Sequence, residues 1–135
     1  MRLIDADVLS YALYDLSPFN PPCRALIERA ARGELELYVT HTTLLEAYNV
    51  LYWTYRVRPR RAIIEKMSAA LLIMEVVPPS AKGLDVAREE GIPLGDGMLI
   101  ATALENKLPV IVSNDKHVEK TATKFGLIVE NPLKR

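Results

Sequence analysis

Short apolar runs alternate with helix-forming stretches along the whole chain, and this alternation constrains its fold more than any other feature. "PVIVS", Pro109 to Ser113, is the clearest run, with Arg2 to Asp5, Glu75 to Val77 and Leu127 to Glu130 beside it, while Leu35 to Val39 alternates. A strand covered on both faces is apolar throughout, which is the habit of parallel sheets sandwiched between helices. Between the runs the sequence predicts helices over Asp7–Leu13, Asn20–Arg32, Thr43–Val57, Arg58–Met74, Ser80–Glu90, Asp96–Asn106 and Lys116–Phe125. Asn20 followed by Pro21 and Pro22 suits a helix start, and Gly33, Gly91 and Gly126 stand where helices should stop. The expected fold class is α/β: one domain over residues 1–135, a parallel β-sheet of four or five strands flanked by helices.

Composition narrows the function classes. Half of the 135 residues are apolar and a quarter charged, the balance of an ordinary globular protein. No apolar run approaches the roughly 20 residues that cross a bilayer; the longest candidate, Ala69 to Val77, is cut by Glu75. The chain opens directly on strand-like residues with no basic segment and signal core, so the expectation is a cytoplasmic protein with no membrane association. A single cysteine, Cys23, excludes an internal disulfide and any multi-cysteine zinc site. Seventeen basic residues balance seventeen acidic ones, which argues against binding nucleic acid by net charge alone.

The acids themselves are not scattered. In an open parallel sheet, ligands bind beyond the carboxyl ends of the strands, where the strand order reverses. Asp5 and Asp7 follow the first strand, Asp115 follows "VIVSN", Asp96 opens a helix in "PLGDGMLIATAL", and Glu46 lies early in the helix after the second strand. Asp7, Asp96 and Asp115 each precede a helix and are also good N-caps, a role that needs no chemistry. Glu46 is different, because "LLEAYNVLYWTYRV" is apolar nearly all round and a carboxylate there needs a cation or a hydrogen-bonding network. Several carboxylates without a histidine cluster suit a hard divalent cation, Mg²⁺ or Mn²⁺. His41 and His117 are too few and too far apart for zinc and are read as surface or turn residues.

These motifs resemble the PIN-domain ribonucleases, especially the VapC-type toxins of prokaryotic toxin–antitoxin systems. The resemblance rests on "LIDADVL", "TTLLEAYNVL", "LGDGMLIATAL" and "PVIVSNDKHV", in the family's order and at about its spacing. It implies a PIN-like fold and a metal-dependent endoribonuclease with Asp5, Glu46, Asp96 and Asp115 as the acidic site. Asp5 and Asp96 would hold Mg²⁺ or Mn²⁺ most directly, Asp115 would complete the metal site, and Glu46 would orient or deprotonate the attacking water. Ser113 and Asn114 match the small polar positions before the last acid, where they could bond a carboxylate or the scissile phosphate. Asp7 departs from the family, which has a neutral Asn or Ser there, and is read mainly as the start of the next helix.

"YRVRPRR", Tyr55 to Arg61, concentrates four arginines; Arg58, Arg60 and Arg61 are candidates to contact RNA phosphates, and a solvated helix junction accounts for them as well. Lys116, Lys120 and Lys124 recur along one helix face and stand in the same position. The aromatic group Tyr48, Tyr52, Trp53 and Tyr55 cannot easily be buried on every side in so small a protein, which predicts an exposed apolar surface. The resemblance implies that such a surface serves a homodimer and a cognate antitoxin. Two other readings stay open: a non-catalytic PIN-like RNA- or protein-binding module, and a haloacid-dehalogenase-type phosphatase, which the opening Asp-x-Asp imitates but whose later motifs occur here in the wrong order.

Overall fold

The structure, a computed structural model, describes residues 1–134. Five strands, β1 (Arg2–Ile4), β2 (Leu37–Thr40), β3 (Glu75–Val77), β4 (Val110–Val112) and β5 (Ile128–Glu130), form one sheet in the order β3-β2-β1-β4-β5. Every pairing is parallel, with Leu3 of the central strand opposite Tyr38 on one side and Ile111 on the other. The chain builds outward from β1 to β3, then returns to start again at β4. Strand order therefore reverses between β1 and β4, and a crevice opens beyond their carboxyl ends.

Successive strand residues face opposite sides of a sheet, and here each side has its own core. Ile4, Leu37, Val39 and Val112 pack with residues of α1 (Ala6–Leu13), α2 (Asn20–Ala31), α3 (His41–Asn49) and α4 (Arg60–Ala70). Leu3 and Ile111 pack with residues of α6 (Leu94–Glu105) and α7 (Lys116–Lys124), with Val86 of α5 (Gly83–Glu90) alongside. A polar residue at either of two neighbouring strand positions would enter one core or the other, which is why the strands are apolar in succession. Gly91 closes α5 in the left-handed region (φ 66°), and Gly33 and Gly126 follow α2 and α7 with the same sign. Among the described residues no helix is long and apolar enough to cross a membrane.

Several boundaries differ from expectation, two of them for identifiable reasons. The helix expected over Thr43–Val57 ends at Asn49 and continues as a five-residue π-turn, Val50–Thr54, in which the Tyr55 N–H reaches the Val50 carbonyl at 3.0 Å. The next helix begins at Arg60 and not Arg58, because a residue before proline is pushed out of the helical region. It ends at Ala70, four residues before Met74. Asn20 opens α2 as expected, but its buried side chain turns back and donates to the Tyr11 and Ala12 carbonyls at 2.9 and 3.1 Å, closing α1.

Helices α5 and α6 cross at backbone contact. A Cβ on Gly97 would lie 2.5 Å from the Gly83 carbonyl oxygen, and one on Gly83 would lie 2.3 Å from the Met98 Cα. Overpacking costs about 1–3 kcal/mol, whereas alanine in a helix gains at most about 1 kcal/mol over glycine. Because the opposing atoms are backbone, the first effect wins. Gly97→Ala is expected to lower unfolding free energy by about 1–2 kcal/mol in a urea titration; a variant as stable as the parent would show that the two helices separate without cost.

Candidate active site

Asp5 follows β1 directly and is the N-cap of α1, its Oδ1 accepting the Ala6 N–H at 2.7 Å. Its own N–H donates to the Val112 carbonyl at 2.9 Å, so the sheet ladder runs up to the acid itself. Its other oxygen accepts the Ser113 hydroxyl at 2.7 Å, from the far side of the β1/β4 crevice. Ser113 Oγ in turn accepts the Asp115 N–H at 3.0 Å, and Asp115 caps α7 by accepting the His117 N–H at 2.7 Å. One buried hydroxyl thus fixes the relative position of two carboxylates from opposite ends of the chain.

Asp7 is not the cap expected of it. Asp5 holds that position, and Asp7 lies in the first turn of α1, accepting the Val8 N–H at 2.6 Å and, across the crevice, the Asn114 N–H at 3.0 Å. Asn114 is held from a third direction by Asn131, whose amide donates to Asn114 Oδ1 at 2.8 Å. Asp96 is not a cap either. Pro93 occupies that position and Asp96 falls in the first turn of α6, where the helix N-terminus favours a negative charge. Glu46, on α3, is an exposed residue whose two carboxylate oxygens would each lie 3.2 Å from a Cβ on Gly95. The bare backbone at Gly95 therefore makes room for Glu46 next to Asp96, a contribution for which the sequence offered only the glycine beside the acid.

The electrostatics show that these groups share one region. Burial raises the Asp5 carboxyl, against the Ser113 and Ala6 hydrogen bonds, and the Asp115 charge adds to the rise. Asp7 is pushed up to about 7 by burial and then by Asp5. Asp96 is pushed up to about 6 by burial, then by Asp5, Asp115 and Glu46, with the His117 charge opposing the rise. Glu46 is raised by burial and by Asp5. Among the described residues none of the five acids forms an ion pair with a lysine or arginine. Nor do any three side chains of metal-ligating type among them close on a single point. The result is a loose, oxygen-only cluster with uncompensated negative charge.

The remaining candidates separate. Ser113 and Asn114 belong to the crevice. Arg58 and Arg60 instead gather on Tyr52, their guanidinium carbons 3.6 and 4.6 Å from its ring centre, and Arg58 also donates to the Tyr52 and Val57 carbonyls. Arg61 is exposed on α4, and no hydrogen bond joins these arginines to the acids among the described residues. His41 and His117 are exposed, as expected. Cys23 is buried in α2 with its thiol pushed up to about 12 by burial and then by Asp7, which makes it a packing residue.

Raised carboxyls give a pH dependence of definite sign. From the ordinary value of 3.8 up to about 6 for Asp96, the folded protein binds more protons than the unfolded chain, so stability falls as pH rises through that window. Asp96→Asn removes this penalty. In chelator, its melting temperature relative to the parent is expected to rise by about 2–5 °C between pH 5 and pH 8; a difference that does not change with pH would show that Asp96 carries no repulsion.

Comparison with known proteins bears on the whole chain. A family model described as the PIN domain matches residues 2–124. Among solved structures, PAE2754 from Pyrobaculum aerophilum gives a TM-score of 0.70 at 22% identity, over 95% of this chain and 82% of that one. VapBC2 from Rickettsia felis, solved bound to a DNA fragment from its promoter, gives 0.66 at 16% identity over 96% and 97%. VapC20 of Mycobacterium tuberculosis, a toxin that cleaves the sarcin–ricin loop, gives 0.70 at 12% identity over 95% and 97%. No curated protein sequence matches. The structures share the fold and the family match spans both sides of the acidic crevice, and the chain belongs to the PIN domain family.

Proposed function

We propose that the protein is a Mg²⁺- or Mn²⁺-dependent endoribonuclease, a hydrolase of RNA phosphodiester bonds that acts as the toxin of a toxin–antitoxin pair. The observation that carries this reading is that the charges of Asp5, Glu46, Asp96 and Asp115 act on one another across the end of the sheet, with no lysine or arginine ion-paired to any of them among the described residues. Such a cluster repels phosphate, so its occupant has to be a cation. The donor set fits a hard ion: the candidate ligands are all oxygen, which suits an ion that keeps several waters and shares itself with substrate phosphate. Asp5 and Asp96 would hold it, with Asp115 completing the site. When bound, the ion supplies positive charge against the developing charge on the phosphodiester and acidifies water.

The chain's own residues do the rest. Glu46, raised by its surroundings, is a stronger base than an ordinary carboxylate and takes the proton of the attacking water. The water oxygen bonds to phosphorus as the bond to the leaving ribose oxygen breaks. Ser113 holds Asp5 and Asp115 in place, and Asn114, fixed by Asp7 and Asn131, stands at the phosphate. Arg58, Arg60 and Arg61 would meet RNA outside the crevice. The single-domain, cytoplasmic character expected from the sequence belongs to the same proposal.

The structural likeness to VapC20 and to the VapBC2 complex supports the toxin reading and a cognate antitoxin as partner. Of the aromatic group, Trp53 is exposed on the π-turn, as is Leu45 on α3, whereas Tyr48, Tyr52 and Tyr55 are half-buried against the core; Leu45 and Trp53 would be the part open to a second copy or that antitoxin. The family match leaves the haloacid-dehalogenase reading without support.

Labelled single-stranded and structured RNAs, incubated with purified protein in Mg²⁺, Mn²⁺ or chelator, test the proposal. Cuts at discrete positions are expected with metal only. Even outer partners of metal ligands cost about 10–100-fold when removed, so Asp5→Asn and Asp96→Asn should each reduce cleavage at least about a hundredfold. RNA binding without cleavage by any form would favour a non-catalytic binding module.

A further inference from the structure

From Asp7, one face of α1 continues through Tyr11 to Tyr14 at the helix C-cap, away from the other acids. Tyr14 stacks on Tyr55 with ring centroids 4.5 Å apart and planes 6° from parallel. The pair lines an open cleft of about 290 Å³ whose rim includes Leu16, Arg56, Arg58 and Lys66. Lys66 is paired with Asp15 at 2.9 Å, whereas Arg56 and Arg58 have no carboxylate partner among the described residues. Arg56 has φ 55°, a left-handed conformation that persists in a residue with a side chain only where its surroundings enforce it. The π-turn ends at Tyr55 and so delivers both the aromatic ring and this arginine to the cleft.

We propose that this cleft binds a base and the adjoining phosphate of single-stranded RNA, holding the strand that continues from the acidic crevice. The inference rests on the nuclease reading and names the form of substrate it takes. Stacked aromatic rings beside guanidinium groups are how proteins hold unpaired nucleotides, because every base offers a π-face and every nucleotide a phosphate. A duplex hides those faces. Tyr14, the C-cap of α1, lies seven positions beyond Asp7, about 10 Å at 1.5 Å per residue, a short step along an extended strand. Tyr55 lies near enough to Asp7 for that charge to raise its hydroxyl, after burial and Tyr14. In a chain of zero net charge, Arg56 and Arg58 without a carboxylate partner among the described residues, at a cleft whose acid, Asp15, is paired with Lys66, favour a polyanion over a peptide.

Binding is measured by fluorescence anisotropy with the full chain carrying Asp96→Asn, against a labelled single-stranded oligoribonucleotide and its duplex, and cleavage with the parent. Adding Tyr55→Leu should weaken single-strand binding by roughly tenfold or more, with no effect on the duplex, and Tyr55→Phe should restore it. Arg56→Ala should lower affinity and reduce the slope of log affinity against log salt by roughly 0.7. Equal single-strand affinity for Tyr55→Leu and its parent, in a protein whose Asp96 form still cuts RNA, overturns the cleft and leaves the nuclease reading standing. Absence of both binding and cleavage in the parent overturns both. Melting temperatures of the Leu and Phe variants separate lost stacking from lost folding: loss of binding without loss of fold, rescued by Phe, supports the cleft. Loss in Phe as well as Leu overturns it.

Discussion

A hydroxyl between two carboxylates, Ser113 donating to Asp5 and accepting from the backbone of Asp115, is the interaction on which the acidic edge depends. Carboxylates in a partly buried crevice repel one another, and each is costly to ionise there. Left to side-chain attraction they would separate. They are held instead by backbone donors that the fold supplies anyway: the first turns of α1 and α7, and the ladder between β1 and β4. The repulsion is thus carried by the architecture, and the capacity for a cation follows from it.

The other half of the edge is set by shape. Gly83 and Gly97 let α5 and α6 touch at backbone distance, which fixes where the first turn of α6 stands. Gly95 then leaves space for the Glu46 carboxylate from the opposite layer. Asp96, flanked by these two glycines, is delivered by α6 from one face of the sheet and Glu46 by α3 from the other, so the site closes across the end of the sheet with a contribution from each core. Small residues do as much here as charged ones.

Much of this was legible in the chain. Runs such as Val110–Val112 had to be buried on both faces, and that alone implied parallel strands between two helical layers. Glu46 stood out because nothing around it in its helix could balance it. What could not be read depends on partners distant in sequence. Asp7 has the makings of a cap until Asn114, 107 residues on, proves to be its partner. The π-turn leaves no mark in a 3.6-residue periodicity, so the positions of Tyr52, Tyr55 and the arginines that follow could not be placed. Spacing could show that the acids lie at strand ends, but the clearance at Gly95 belongs to three dimensions.

The pairing of β1 with β4 also has a consequence in time. The central strand is synthesised before the four strands around it, at about 5–20 residues per second for a nascent chain, yet Leu3 waits for Ile111 and Asp5 for Ser113. Contacts this distant close late, since the entropy of a long loop must be overcome before they form. A chain interrupted before Ser113 has no second wall to its crevice, and one interrupted before β4 also lacks Val112 from the core of the layer built from α1 to α4. The acidic edge therefore forms only once β4 and Ser113 have been synthesised, and a product interrupted before them carries the first acid without the means to use it.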